Sequence, residues 1–357
     1  MSALTTVAIV GAGIGAEHMR GYLALPDRFR VAYVCDLDAA RGGALAATGP
    51  GTAFTTDLED VLADGTVDLV DICLPPHLHL SQSLRALEAG KHVICEKPLV
   101  ASVAEADTLA ARAQAAGRQV FPIFQYRYGL GFAQLAALID AGLAGTPLVG
   151  TLETHWNRPA AYYDVPWRGK WATERGGAVL GHAIHIHDLV SLGFGPIASV
   201  YAEVDTRVNA IEVEDCAAIV LRMASGALVT SSVTLGAADD TSRLRFVYAG
   251  LTAESGSNPY APADGGWTFT ARAPVTQAQV DAVLAGVTAP KGRFAGYLEA
   301  VADALDGRPG REVTLDAGRQ SIALVTAIYH SARTGTRVSL PLGPDHPLYD
   351  SWLPDGA

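Results

Sequence analysis

Long apolar runs are missing from this 357-residue chain. The uninterrupted ones are strand-sized, far below the ~20 residues that cross a bilayer, and no basic residue precedes the first. Neither a membrane span nor a secretory leader is expected. Basic residues are also scarce: 26 Lys+Arg against 37 Asp+Glu give a formal charge of −11, with no clustered cations for a phosphate backbone. Nucleic acid is therefore not expected as a partner, and the expected setting is soluble and cytoplasmic. Cysteines number four and form no C-x-x-C pair; most close apolar runs, as small packing residues do. With 49% hydrophobic residues, disorder is excluded and the length suits two domains.

Apolar runs at 6–10, 31–35, 69–74 and 92–95 are nearly continuous in Val, Ile, Leu and Cys, the pattern of strands buried on both faces. Helical spacing separates them at 18–25, 39–47, 78–89 and 103–116, the last opened by Ser102 and Glu105 in a capping box. This order predicts a doubly wound parallel α/β domain over 1–122. From 123 to 357 a helix at 131–141 gives way to period-two segments at 148–155, 197–206, 214–223, 227–235, 243–248 and 267–271. These predict an open mixed or antiparallel sheet, with a hairpin at Ala224-Ser225-Gly226, a long loop at 255–266 and closing helices at 294–305 and 316–333.

Gly11-Ala12-Gly13-Ile14-Gly15-Ala16 lies between the first strand and the first helix. Glycine at 11 permits a tight turn, and glycine at 13 lets the backbone approach a pyrophosphate on the helix N-terminus. Asp36, 20 residues past Ala16 at the end of the second strand, can accept hydrogen bonds from a ribose diol. Its charge repels a 2′-phosphate and no arginine follows it immediately, so NAD is expected rather than NADP. Glu96-Lys97-Pro98 falls at another strand end, the edge where such sheets bind ligands; an ordinary ion pair is the competing reading. His182, His185, His187 and Asp188 form a polar cluster. On a helix His182 and His185 share a face and His187 does not, and without an i, i+4 pair no metal is expected.

In order along the chain, the glycine turn, Asp36, Pro75-Pro76-His77-Leu78-His79, Glu96-Lys97-Pro98, Tyr126-Arg127-Tyr128 and Gly-Gly…His-x-x-Asp resemble the Gfo/Idh/MocA oxidoreductases. The resemblance implies a Rossmann domain followed by a substrate domain with a large open sheet, which also assembles the protein into a dimer or tetramer. It implies that NAD contacts Gly11, Gly13, Ile14, Ala16, Asp36, Leu74, Pro75, His79, Glu96, Lys97 and Arg127. Lys97 would hold the reacting hydroxyl and His185 would transfer its proton, with Asp188 at the acidic position three residues later. Many members carry Asp four residues before that histidine; here Gly181 stands there, and His182 is a candidate substitute.

Three of the five tryptophans gather with basic residues in one segment: Trp156, Arg158, Tyr162, Tyr163, Trp167, Arg168, Lys170, Trp171 and Arg175. Aromatic faces stack on sugar rings and cations bind anionic substituents; an aromatic subunit interface is the alternative. Expected substrate contacts are Tyr126, Arg158, Tyr162, Trp167, Arg168, Lys170, Trp171, His182, His185 and Asp188. The expected reaction is NAD-dependent hydride transfer at a secondary, C3-type ring hydroxyl of a sugar or glycoside. One rival keeps that oxidation but follows it with elimination, water addition and reduction, hydrolysing an anionic glycoside such as a sulfoquinovoside. Another is a non-catalytic dinucleotide sensor.

Overall fold

The computed structural model describes residues 4–354, which divide into two units. The first contains residues up to Gln125 together with Phe294–Arg319; the second contains Tyr126–Arg293 and the residues from Gln320 onward. The sequence pattern suggested a single division at 122. The structure instead returns a C-terminal segment to the first unit, because its apolar face packs there.

Six parallel strands build the first unit's sheet: β1 (Thr5–Val10), β2 (Phe29–Cys35), β3 (Ala53–Thr55), β4 (Leu69–Ile72), β5 (His92–Cys95) and β6 (Val120–Pro122), in the order β3-β2-β1-β4-β5-β6. Order reverses between β1 and β4, the place where doubly wound sheets open a ligand crevice. The helices between them are α1 (Gly15–Leu23), α2 (Ala39–Ala46), α3 (Leu58–Ala63), α4 (His79–Glu88) and α5 (Val103–Ala116). Asp38 caps α2 and Ser102 caps α5, and both place an oxygen on otherwise unpaired first-turn amides. The third strand and third helix escaped the sequence pattern because they are short and half exposed.

In the second unit α6 (Leu130–Asp140) precedes β7 (Pro147–Asn157), the one-turn α7 (Trp171–Glu174), α8 (Ile184–Phe194) and β8 (Ile197–Asp205). The strands β9 (Cys216–Met223), β10 (Leu228–Thr234), β11 (Gly236–Tyr248), β12 (Leu251–Glu254) and β13 (Thr268–Ala271) follow. The chain continues through α9 (Gln277–Ala285), α10 (Arg293–Leu305), α11 (Leu315–Thr334) and β14 (Val338–Ser339). The eight strands run in the order β13-β12-β11-β7-β10-β9-β8-β14, mixed because β7 and β10 are parallel. β9 and β10 form the expected hairpin and alternate buried with exposed residues, so only one face of these strands is covered. The strand expected from 214 starts at Cys216, because Glu214 turns its carboxylate onto backbone amides instead of pairing as a strand residue.

The part of α10 within the first unit covers α1. Phe294 lies 4.5 Å from the His18 ring, Arg28 bridges Asp303 at 2.9 Å, and Tyr297 donates to the Phe121 carbonyl at 2.9 Å.

Candidate active site

Gly11 adopts φ +103°, and a Cβ there would stand 2.4 Å from the Cys73 carbonyl oxygen, so both conformation and space demand glycine. Gly13 is different: a Cβ would meet nothing within 4 Å, which leaves open space above the turn. α1 then begins without a side-chain cap: Ala16 N and Glu17 N turn back to the Gly13 and Ile14 carbonyls at 3.3 and 2.9 Å, and the helix presents its positive end, uncapped by any side chain, to an anion. Asp36 accepts from Ala12 N at 2.6 Å and Asp38 N at 2.8 Å. Arg41 also grips it, with Nη2 2.9 Å from one oxygen. Burial pushes this carboxyl upward, but Arg41 and the two amides outweigh burial and hold it below the usual range. The result is an ionised carboxylate at the strand end, beside open space and an uncapped helix. That set fits the pyrophosphate and ribose of NAD.

Arg41 is a partner that adjacency in sequence did not reveal. It sits in the first turn of α2, where the Asp38 cap fixes the helix start and brings its side chain back over Asp36.

At the end of β5, Glu96 is buried and accepts from the Lys97 backbone N at 2.9 Å. Its other oxygen lies 3.1 Å from His18 Nε2, and His18 Nδ1 lies 2.8 Å from Asp71. Tyr22 donates to the same Asp71 oxygen at 2.8 Å. His18 is fully buried. Burial opposes its charge, but Asp71 foremost, with Cys73, raises it well above the ordinary histidine value. An imidazolium between two carboxylates thus ties α1 to the strand that presents Lys97.

His79 and Leu74, expected to line the cofactor, have a structural connection. His79 is buried, with Nδ1 2.6 Å from the Pro98 carbonyl and Nε2 2.7 Å from the Leu74 carbonyl. It staples the segment after β4 to the loop carrying Lys97. Pro75 opens the short helical turn Pro76–Leu78. Ile14 is exposed at the start of α1, and Ala16 lies in that helix's first turn.

In the second unit, Gly177 passes so close to the Glu214 carbonyl that a Cβ would lie 1.8 Å from its oxygen. The Glu214 carboxylate accepts from Gly177 N and Val179 N, both at 3.0 Å, and from Tyr329 Oη at 3.0 Å. The double glycine therefore seats the start of the histidine segment. One π-helical turn, Val179–Ala183, leads into α8, the kind of irregularity that often accompanies functional sites.

The three histidines take different surroundings. His185 stacks on Tyr126, centroids 4.3 Å apart. His182 meets the edge or face of Trp156 at 5.0 Å and approaches Tyr162 Oη at 3.5 Å. His187 points to Ser231 on β10, 3.0 Å from Nε2. Asp188 is bound by Arg127 through paired contacts of 2.7 and 2.6 Å, so these two expected ligand contacts hold each other and fix α8 against the segment at 126.

Burial lowers His187 to about 4, keeping it neutral near neutrality. The unfolded chain then takes up a proton that the folded chain refuses. Stability supplied by neutral His187 is complete above about 6.5 and is lost as pH falls towards about 4. A His187→Gln variant should show a shallower fall in thermal midpoint between pH 6.5 and 5 than the parent. Parallel melting curves would contradict this.

The basic segment is dispersed. Arg158 pairs with Asp240 at 3.0 Å, while Arg168 lies 3.9 Å from the Tyr162 ring centroid. Lys170 is exposed, Trp171 packs against Tyr329 at 5.5 Å, and the Arg175 carbonyl accepts from Trp352 Nε1 at 2.7 Å. The expected four-cation cluster thus resolves into the Arg158 and Arg168 pair flanking Tyr162, with Lys170 exposed and the Arg175 backbone bound to Trp352.

Residues 5–124 match the model described as oxidoreductase family, NAD-binding Rossmann fold, and residues 132–251 match the GFO/IDH/MocA C-terminal domain. Inositol 2-dehydrogenase 1 of Saccharopolyspora erythraea is 34% identical over 163 residues, 45% of this chain and 48% of that protein. Inositol 2-dehydrogenase of Rhodococcus erythropolis is 38% identical over 146 residues, 40% and 42% of the two chains. The chain spans about half the length of the curated relatives it matches. WlbA dehydrogenase from Bordetella pertussis, solved with NADH and UDP-GlcNAcA, superposes with a TM-score of 0.85 at 29% identity, covering 96% of this chain and 100% of that one. With these two family models together matching most of the chain and the glycine turn suited to the dinucleotide, the chain belongs to the Gfo/Idh/MocA oxidoreductase family and carries its NAD-binding Rossmann domain.

Proposed function

We propose that the protein is an NAD-dependent dehydrogenase acting on a secondary, C3-type ring hydroxyl of a sugar or glycoside. The observation that carries this reading is the anchoring of Lys97 at the end of β5, where Glu96 binds its backbone and His79 braces the following loop. In this reading the Lys97 ammonium donates to the reacting oxygen and stabilises its developing charge, a group set in place before reaction. His185, oriented by Tyr126, accepts the hydroxyl proton. NAD supplies the hydride acceptor. Similarity to inositol dehydrogenases and to WlbA supports the reaction type.

Gly181 favours a second reading, redox-assisted glycoside hydrolysis. A Cβ at this position meets nothing within 4 Å, leaving room one turn before His185 for a leaving group. Purified protein given NAD with free sugars and aryl glycosides separates the two. Net NADH formation is expected; released phenol without net NADH would replace the dehydrogenase by the hydrolase, and neither across a broad panel would remove both. Gly181→Asp should retain the parent thermal midpoint because its side chain enters open space, and should lose turnover on aryl glycosides more than on free sugars. A large drop in midpoint would contradict the open site.

A further inference from the structure

Two arginines flank the Tyr162 ring, but one carboxylate serves them. Arg158 is neutralised by Asp240, which also accepts from Tyr260, and Arg158 further donates to Tyr260 Oη at 3.0 Å. Arg168 stands 3.9 Å from the Tyr162 centroid and 4.5 Å from that of Trp167, with no carboxylate within 4.0 Å among the described residues. Its Nε is buried without a hydrogen-bond partner among those residues. Glu174, the nearest acidic influence, directs an oxygen to Gly169 N instead. Burial lowers the Arg168 value, and Arg158 adds to the effect against the pull of Glu174. A guanidinium remains charged under these conditions, so a partly desolvated cation sits here without an ion-paired carboxylate among the described residues. Aromatic faces recover part of the lost hydration through cation–π contact and leave guanidinium N–H groups to donate.

Tyr162 connects this cation to the histidine segment, its Oη being 3.5 Å from His182 Nε2. His182 precedes His185 by three residues, nearly one helical turn. We propose that Arg168 is a substrate-specificity residue that binds an oxyanion substituent, a carboxylate or sulfonate, on the sugar. This rests on the sugar dehydrogenase reading and names its substrate class. The planar fork matches a carboxylate or sulfonate edge with two N–H donors, and Trp167 and Tyr162 bound the group with apolar faces.

Calorimetric binding to the NAD-loaded protein tests this without requiring turnover. The probes are methyl glucoside, methyl glucuronide and the methyl glycoside of 6-sulfo-6-deoxyglucose, with inorganic phosphate and sulfate as free-anion controls. The parent should bind at least one glycosidic anion 10–100-fold more tightly than methyl glucoside, and Arg168→Met should remove that preference, bringing the ratio of the two affinities to about one. Arg158→Met should retain a preference, since that cation already has its carboxylate. Equal binding of charged and neutral glycosides by the parent would overturn the proposal even if Arg168→Met failed to fold. So would a preference surviving in Arg168→Met, or competition by the free anions as strong as by the glycosides. Anionic glycosides bound through Arg168 without NADH formation would defeat the dehydrogenase reading alone. Neutral sugars oxidised and bound as well as anionic ones would defeat the anion assignment alone.

Discussion

Lys97→Met should lower kcat by about 10²–10³ on any sugar that the parent oxidises, with the protein still folded. Methionine keeps the length and apolar body of the stem and removes only the ammonium. The backbone contacts at this position do not use that ammonium: Glu96 accepts from Lys97 N, and the following loop is held through the Pro98 carbonyl by His79. Turnover should collapse while these backbone contacts remain. Steady-state kinetics with paired melting curves check this result. Full turnover in Lys97→Met would remove Lys97 from the chemistry, whereas a large loss of stability would mean that the side chain supports the fold instead.

His18→Leu should produce the largest loss of stability. The substitution leaves Asp71 and Glu96 buried without the imidazolium that separates them, and removing one partner of such a network costs about 3–5 kcal/mol. It also removes the ring packed against Phe294. The pH dependence has a definite sign. His18 is raised in the folded state, so its contribution is complete below about 6.5 and is lost as pH rises through the folded value. The midpoint gap between parent and variant should therefore be widest in mildly acidic buffer and narrow in alkaline buffer. A gap that is small throughout would show that the carboxylates need no cation.

Much of the first unit was legible because β1, β4 and β5 are buried on both faces and appear as apolar runs. Cys73 and Leu74 looked like more of β4, but they leave the strand and use their carbonyls against the glycine turn and His79. Asp36 was visible from its spacing, while Arg41 depended on where α2 started. His18, Asp71 and Glu96 carried no joint signal, since separations of 53 and 78 residues become contacts only through sheet order. The two glycines before the histidine segment were legible as a motif, but their cause was not: Glu214 approaches from a distant stretch and fills the space a side chain would need. Among the basic residues, sequence could not reveal that Asp240 neutralises Arg158 while Arg168 has no comparable partner among the described residues.

The return of Phe294–Arg319 to the first unit also bears on biosynthesis. A ribosome releases about 170 residues between Gln125 and Phe294, roughly 10–30 s of translation at usual rates. Throughout that interval the nascent Rossmann sheet lacks Phe294 over His18 and Asp303 beside Arg28. The N-terminal part of the unit thus waits, incompletely covered, for a segment made much later, and an expression fragment ending at residue 125 would inherit that same exposed face.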